Sequence, residues 1–277
     1  MAFVRAIVLG YEKYGVDPSN ALRQAQITPS QLRRVDGRIT AAQMETVSAA
    51  AMQELDDEAL GWFSRKLPWG SYGMLCRASI TSPNLGVAIA RWCRHHRLLT
   101  DDIVLRIETH GDSAHYLVDE QRRLGAFREF CLVTSLRFLH GFACWAIDSR
   151  IPLRETTFPF APPPHGDVYP LLFPGQVYFN AAQAGFSFDA QYLAMPLRRD
   201  EGALRTMLQR ALPLTVLQYR RDRLLVQRVR ELLRQRGAEL WTAESLAREL
   251  NMSTRTLHRQ LRDEGAFRQR RCLMPRK

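Results

Sequence analysis

Cysteine is scarce in this sequence of 277 residues. The five cysteines are odd in number and far apart, and no C-x-x-C or zinc-finger spacing joins them: Cys76, Cys93, Cys131, Cys144 and Cys272. This pattern excludes a disulfide scaffold and a zinc finger. It is typical of buried thiols in a reducing compartment.

Catalytic and cofactor motifs are absent as well. The sequence contains no Walker loop and no G-x-G-x-x-G, G-x-S-x-G or H-E-x-x-H motif. His110, Asp112, Ser113 and His115 supply a base, an acid and a nucleophile, but proximity within one turn does not give the geometry of a catalytic triad. We therefore predict that the protein is not an enzyme and holds no cofactor and no metal.

Long apolar runs are also missing. No stretch reaches the ~18 apolar residues of a membrane span, and the amino terminus lacks the pattern of a signal peptide. The sequence therefore predicts a soluble cytoplasmic protein. Lysine is rare too, with only Lys13, Lys66 and Lys277 among 39 basic residues. Because this imbalance reflects a coding bias in part, the abundance of arginine carries little weight.

The remaining composition is that of a globular protein, with 46% hydrophobic and 24% charged residues. The chain is longer than one average domain of ~100–200 residues, so we expect two domains. The formal net charge is +11 and the pI is near 10.0. Such a balance favours an anionic partner, either nucleic acid or a membrane surface.

The positive charge is concentrated at the end of the chain. Residues 213–277 hold 16 basic and 7 acidic residues, a net charge of +9, whereas residues 1–212 have a net charge of only +2. Arginine-rich, solvated helix faces would give the same imbalance. We nevertheless expect a larger domain at 1–212 and a small basic domain at 213–277. Pro213 is expected to break a helix that starts near Asp200, and Gly237 is expected to end the last helix before the basic module at the end of the chain.

The first 212 residues predict a mixed α+β domain. Phe3, Ile7, Tyr11 and Tyr14 recur at helical spacing and predict a helix that ends near Gly15. Capping side chains predict four further helix starts, at Asp17-Pro18, at Thr28 with Gln31, at Thr40 with Gln43, and at Ser82-Pro83.

The pattern then changes to strands around one long helix. Period-two alternation predicts a hairpin between residues 102 and 119, and the nearly all-round apolar stretch 124–145 predicts a central helix. Short aromatic strands are predicted at 158–160, 177–179 and 186–188.

The most specific pattern is a helix-turn-helix at about 242–264. Thr242 caps its first helix, Asn251 tolerates the left-handed turn, and Ser253 caps the second helix. The inward-facing residues are Leu246, Ala247, Leu250, Leu257 and Leu261. An ordinary helical hairpin with a basic outer face is the alternative.

The opposite face of the second helix suits DNA. Its side chains are Arg255, His258, Arg259 and Arg262. Arginine binds guanine or phosphate, and the amino terminus of the helix at Ser253 favours a phosphate.

These residues resemble a known family. The run Leu-Ala-Arg-Glu-Leu-Asn-Met-Ser-Thr-Arg-Thr-Leu-His-Arg-Gln-Leu-Arg-Asp-Glu-Gly at 246–265 is similar to the first helix-turn-helix of AraC/XylS-type transcriptional regulators. Gly15-Val16-Asp17-Pro18, the central helix and the segment from Pro164-His165 to Phe179 resemble the arabinose-binding-like amino-terminal domain of the subgroup related to ornithine-utilisation regulators.

The resemblance implies a sequence-specific, DNA-binding transcriptional regulator. Double-stranded DNA, a small metabolite bound by the amino-terminal domain, RNA polymerase and a second copy of the chain are the expected partners, and a membrane is not. Carried over by position, Arg255, His258 and Arg259 match the groove-facing residues of the family.

The last residues depart from the family pattern. A linker helix and a second helix-turn-helix are expected after Gly265, whereas residues 266–277 lack apolar periodicity and resemble a truncated or out-of-frame end. Because one recognition helix contacts one groove segment, specific binding is expected to weaken. The alternative function is therefore a truncated effector-binding or dimerising protein with weak or no specific DNA binding.

Aromatic residues of the first domain are candidates for an effector pocket, although core packing explains most of them equally well. They are Trp69, Tyr72, Phe158, Phe160, Tyr169, Phe173, Tyr178 and Phe179. The polar candidates for effector contacts are Arg77, His165 and Tyr169.

Overall fold

Capping side chains begin the third and fourth helices of the computed structural model, which describes residues 1–34, 37–209, 224–236 and 241–263. The cap predicted at Asp17 is wrong, because the second helix begins at Ser19 with Pro18 as its N-cap residue and no side-chain cap. Thr28 and Thr40 each close a capping box with the glutamine three residues on, as predicted. Gly15 ends the first helix in the left-handed conformation, at φ 65°. These helices are α1 (Ala2–Tyr14), α2 (Ser19–Gln24), α3 (Pro29–Arg33), α4 (Ala41–Leu55), α5 (Ser71–Ile80) and α6 (Leu85–His96).

The predicted cap at Ser82 is wrong. Helix α6 begins at Leu85, and the Asn84 side chain accepts the N–H of Val87 at 3.0 Å. Asn84 has the extended backbone of an N-cap residue, at φ −147° and ψ 171°, whereas the side chain of Ser82 is buried. The sequence pattern favoured Ser82 because a proline follows it, but Pro83 stands before the helix rather than in its first turn.

A five-stranded sheet follows, in the order β1-β2-β5-β3-β4. The first two strands form the predicted antiparallel hairpin, and Gly111 takes the left-handed turn position at φ 59°. The strand that is last in the chain lies between the second and the third and pairs antiparallel with both, while the third and fourth strands pair in parallel. The strands are β1 (Ile103–His110), β2 (Ser113–Glu120), β3 (Leu153–Thr157), β4 (Gln176–Tyr178) and β5 (Ala184–Asp189). Helices with a small sheet make the fold α+β, as predicted.

The predicted strand at 158–160 is wrong, because the strand lies just before it. Phe158 still donates its N–H to the carbonyl of Tyr178 at 2.9 Å. Pro159 has no N–H to donate, so the bonds that follow are irregular. The N–H of Ala181 reaches the carbonyl of Phe158 at 3.1 Å, and that of Asn180 reaches the carbonyl of Phe160 at 3.0 Å. Phe158 is fully buried at the end of β3.

Helix α7 (Arg128–Ala146) is the predicted central helix. Its residues are buried on nearly every face, and Leu136, Leu139 and Phe142 have no exposed surface. The ring of Phe142 stacks on Trp92 of α6 with centroids 5.0 Å apart. Burying each such side chain stabilises the fold by ~1.5–3 kcal/mol.

The chain divides into two units. The first unit consists of Met1–Ile147 and Ile151–Tyr219, and the second consists of Asp148–Arg150 and Arg220–Lys277. The first unit also contains α8 (Tyr169–Leu172) and α9 (Glu201–Leu208); the second contains α10 (Leu224–Arg236), α11 (Ala243–Glu249) and α12 (Thr254–Asp263). The described residues do not include several positions on which predictions were made. These are the predicted domain boundary after residue 212, the helix ends predicted at Pro213 and Gly237, and the tail 266–277. No helix in the described ranges is long and apolar enough to cross a membrane.

The carboxylate of Asp57 organises the segment between α4 and α5. It is fully buried and accepts the backbone N–H groups of Ala59, Gly61 and Leu67 at 2.8–2.9 Å. It also accepts the hydroxyl of Tyr14 at 2.8 Å, which ties the segment to α1. Four hydrogen bonds to one buried carboxylate therefore fix this segment.

The residues on either side of Asp57 extend the same arrangement. Asp56 accepts the N–H of Trp69 at 3.0 Å. Glu58 accepts the N–H groups of Gly70 and Tyr72 at 2.7 and 2.6 Å and so satisfies the first turn of α5, which has no side-chain cap of its own.

We predict that Asp57→Ala lowers the free energy of unfolding by about 3 kcal/mol or more, because it leaves buried N–H groups without an acceptor. Asp57→Asn, which retains one oxygen, is expected to cost less. The measurement is urea unfolding followed by circular dichroism. The exposed Asp101→Ala is the control and is expected to unfold like the wild type; an equal midpoint for Asp57→Ala would contradict the role of this carboxylate.

Candidate functional site

The second unit contains a helix-turn-helix around a small apolar core. Leu225 and Val229 of α10 pack with Ala247, Leu250 and Leu257, and each of the five is at most 8% exposed. The partly buried residues around them are Leu232, Leu233, Leu246, Met252 and Leu261. All five packing residues predicted from the sequence therefore lie in or against this core. The contribution of α10 was not predicted.

Asn251 makes the turn between α11 and α12. Its backbone is left-handed, at φ 53°, and its N–H reaches the carbonyl of Arg248 at 3.0 Å. The next N–H, of Met252, reaches the carbonyl of Ala247 at 2.9 Å. This pair of bonds is a Schellman motif, which satisfies the last carbonyls of α11 and turns the chain into α12.

Helix α12 presents two faces. Ser253 caps it by accepting the N–H of Thr256 at 3.1 Å, and Leu257 is only 1% exposed. Side chains on the other face are exposed, and the structure places all four predicted side chains of the outer face there: Arg255, His258, Arg259 and Arg262. Because these positions recur every three or four residues, they form one surface, which we call the cationic face.

A cavity of about 320 Å³ opens in the first unit beside α4 and α5. Its walls combine apolar and aromatic side chains with two carboxylates and one arginine. The lining residues are Glu45, Ala49, Met52, Gln53, Glu58, Trp69, Gly70, Tyr72, Gly73, Arg77, Phe138, Leu208 and Gln209. We call it the α5 cavity.

Arg77 is the one predicted effector residue in this cavity. Its Nε donates to Glu201 Oε1 at 2.9 Å, and both side chains are about half exposed. The pair joins α5 to α9, whose carboxyl end contributes Leu208 to the cavity wall. The structure therefore connects the cavity to the last described helix of the first unit.

His165 and Tyr169, the other two predicted effector residues, meet elsewhere. The carboxylate of Glu129 accepts the hydroxyl of Tyr169 at 2.7 Å and lies 2.6 Å from Nε2 of His165. Tyr169 is fully buried, and burial, with the nearby Glu129 charge, raises the pKa of its hydroxyl above the usual value. The structure does not bring these two residues together with Arg77 in the α5 cavity.

The predicted aromatic pocket also divides. Trp69 and Tyr72 line the α5 cavity, whereas Phe158, Tyr169 and Phe173 have no exposed surface and their rings contact one another. The first two remain available to a ligand, and the other three belong to the core.

Sequence reasoning missed Glu58 as a cavity residue. The only sequence signal was the acidic run at 56–58, and Glu58 reaches the cavity because its bonds to α5 hold it there. Burial raises the pKa of its carboxyl, against the opposing effect of the two backbone N–H groups.

The hairpin tip does not assemble a triad. The carboxylate of Asp112 binds both terminal nitrogens of Arg154 at 3.0 Å, and these bonds lower its pKa. Nε2 of His110 lies 3.5 Å from Glu108. The bonds of Arg154 tie the hairpin to β3, whereas the contact between His110 and Glu108 lies within β1.

Known proteins share sequence similarity with this chain. The family described as the arabinose-binding domain of AraC transcription regulators, at the amino terminus, matches residues 15–197. The chain is 25% identical over 266 residues to an ornithine utilization regulator of Pseudomonas aeruginosa, covering 96% of this chain and 78% of that protein. A solved structure, the transcriptional regulator CdpR of the same species, is 20% identical, with 90% of this chain and 78% of that chain covered and a TM-score of 0.36.

The turn at Asn251 leads to a prediction. Asn251→Gly should leave stability within a few tenths of a kcal/mol, because glycine adopts positive φ freely, whereas the β-branched Asn251→Val should cost about 1–2 kcal/mol. Thermal unfolding followed by helical circular dichroism separates the two variants. If valine were tolerated as well as glycine, the left-handed turn would not be required.

Proposed function

This chain belongs to the AraC transcription regulators that carry an amino-terminal arabinose-binding domain, and we propose that it binds double-stranded DNA through α12 under the control of a small metabolite bound by its first unit. The family and the relatives are transcriptional regulators, not enzymes. The first unit is thus the effector-binding part of the proposal, and the helix-turn-helix is its DNA-binding part.

The cationic face of α12 carries the DNA-binding proposal. A helix of this size fits the major groove, and its opposite side is occupied by the core around Leu257. Arg255 and Arg259 are proposed to read base edges, since a guanidinium offers guanine two parallel donors. His258 and Arg262, with the helix start at Ser253, are proposed to bind phosphates.

The α5 cavity supports the effector part of the proposal. Its volume lies at the lower end of the ~300–1,000 Å³ of small-molecule sites, and its wall is mainly apolar with a few polar groups, as in such sites. Arg77 is the predicted effector contact that this cavity favours; the contacts of His165 and Tyr169 with Glu129 favour a structural role for those two residues. A relative is named for ornithine utilization, so ornithine is the first compound to test.

Self-association and contact with RNA polymerase complete the proposal. Both rest on the family alone. Sedimentation with and without the metabolite tests the first of them, and two-hybrid activation tests the second.

We predict that Arg259→Ala lowers affinity for a duplex of the gene's own upstream region about tenfold or more, since one bidentate base contact contributes ~1–3 kcal/mol. Fluorescence anisotropy at about 50 and 200 mM salt measures the affinity and its salt dependence. Arg228→Ala is the matched control, because Arg228 is an exposed arginine of α10 in the same unit.

Equal losses for Arg259→Ala and Arg228→Ala would mean that only net charge matters and would overturn the assignment of α12. If the wild type failed to bind the duplex at the lower salt concentration while still binding a metabolite, the effector-binding alternative would replace the proposal.

A second prediction concerns Arg77. Its half-exposed pair with Glu201 contributes at most ~1 kcal/mol, so Arg77→Met should barely change the unfolding temperature. The variant should nevertheless reduce the change in DNA affinity that ornithine causes. The control is Arg38→Met, which breaks the exposed pair with Asp167 elsewhere on the unit. A response in Arg77→Met equal to that of the control would exclude Arg77 from effector sensing.

A further inference from the structure

We propose that the α5 cavity selects a small organic cation, an amine with an apolar body, as the effector; this inference rests on the proposed function. Three features support it: the charge of the cavity wall, the aromatic rings in that wall, and a second, smaller cavity that shares Glu58, Tyr72 and Phe138 with it. Each of these three features limits the chemistry of the ligand.

The charge of the wall is net negative among the described lining residues. Glu45 and Glu58 carry carboxylates, and Arg77 is the only cation among the described residues that line the cavity. Glu45 has an interaction of its own, so the charge of Glu58 carries the proposal. The charge of Arg77 is already balanced by Glu201 at 2.9 Å. An anionic ligand would therefore meet repulsion from the wall, whereas a cation would be attracted.

Glu58 is the carboxylate best placed to bind the charged group. It is held by the N–H groups of Gly70 and Tyr72, and it lines the α5 cavity and the smaller cavity alike. Burial disfavours its ionised form, and a bound cation would compensate for that penalty. A carboxylate has about four acceptor positions, so two backbone bonds leave room for an ammonium group.

Aromatic rings line the same two cavities. Tyr72 and Phe138 line both cavities, and their ring centroids lie 5.1 Å apart. Trp69 adds a half-exposed indole to the wall of the α5 cavity. Ring faces attract an alkylammonium group, and they pack equally well against an apolar body.

The smaller cavity, of about 40 Å³, supplies a hydrogen-bond acceptor for the charged end. Its wall includes Trp62 and His96, which are 6% and 7% exposed. Nδ1 of His96 is shut off from solvent and has no hydrogen-bond partner among the described residues, so it can accept from an ammonium group when Nε2 carries the ring proton. Nε1 of Trp62 is equally buried and also has no partner in that part of the chain, but an indole N–H only donates and does not bind an ammonium group. Burial lowers the pKa of His96 to about 4, so the imidazole is neutral and does not oppose a cation.

The test compares three probes of one shape: phenethylamine, 2-phenylethanol and 3-phenylpropionate. Calorimetry on the full chain is expected to show that phenethylamine binds at least about tenfold more tightly than the other two probes. A hydrogen bond between the ammonium group and the Glu58 carboxylate accounts for a difference in affinity of that size. Glu58→Gln should remove this preference while leaving the weak binding of the alcohol.

Two further variants keep the result interpretable. Ala49→Phe fills the α5 cavity without changing its charge and should abolish binding of all three probes. Glu12→Gln removes an exposed carboxylate of α1 and should bind as the wild type does. Urea unfolding of each variant verifies that the chain is folded.

Three outcomes would overturn the inference: equal or tighter binding of the alcohol or the acid, phenethylamine binding that survives Ala49→Phe, or no binding of any probe up to about 10 mM. Failure of the proposed function is seen separately. If phenethylamine binds as expected but leaves the DNA affinity unchanged, the cation site stands and effector control of DNA binding is wrong.

Discussion

The first unit depends on three consecutive carboxylates that bind backbone N–H groups. Asp56, Asp57 and Glu58 together accept six backbone N–H groups from residues 59–72, and a buried N–H without an acceptor would be costly. The segment that they fix carries Trp69 and Tyr72 into the wall of the α5 cavity. The shape of the cavity is therefore set by hydrogen bonds to the main chain, while its side chains remain available to a ligand.

The second unit depends on a different constraint, the close crossing of two short helices. Ala247 is small where the helices meet, and Asn251 supplies the left-handed residue that ends α11. Since α11 has only seven residues, its own hydrogen bonds are insufficient for stability. Leu225 and Val229 of α10 complete the core. A third helix therefore supports the cationic face, although none of its residues is proposed to contact DNA.

What the sequence could predict was local. The capping boxes at Thr28 and Thr40, the β1–β2 hairpin and the helix-turn-helix each depend on residues close in the chain, and the structure confirms them. The start of α5 was not predictable, because its N–H groups are satisfied by Glu58, more than ten residues earlier. The separation of Arg77 from His165 also depends on tertiary packing. Periodicity and capping signals do not report tertiary packing, because they depend on residues close in the chain.

The carboxyl end of α9 belongs to the wall of the α5 cavity, through Leu208 and Gln209. The chain that leads towards the helix-turn-helix therefore starts from the wall of the cavity. Under the proposed function, a bound effector acts on that chain through covalent continuity. For protein engineering this fixes the place of a fusion junction. A sensor that joins this first unit to another output domain must retain α9 through Gln209, since a junction before α9 would remove part of the cavity wall along with the connection.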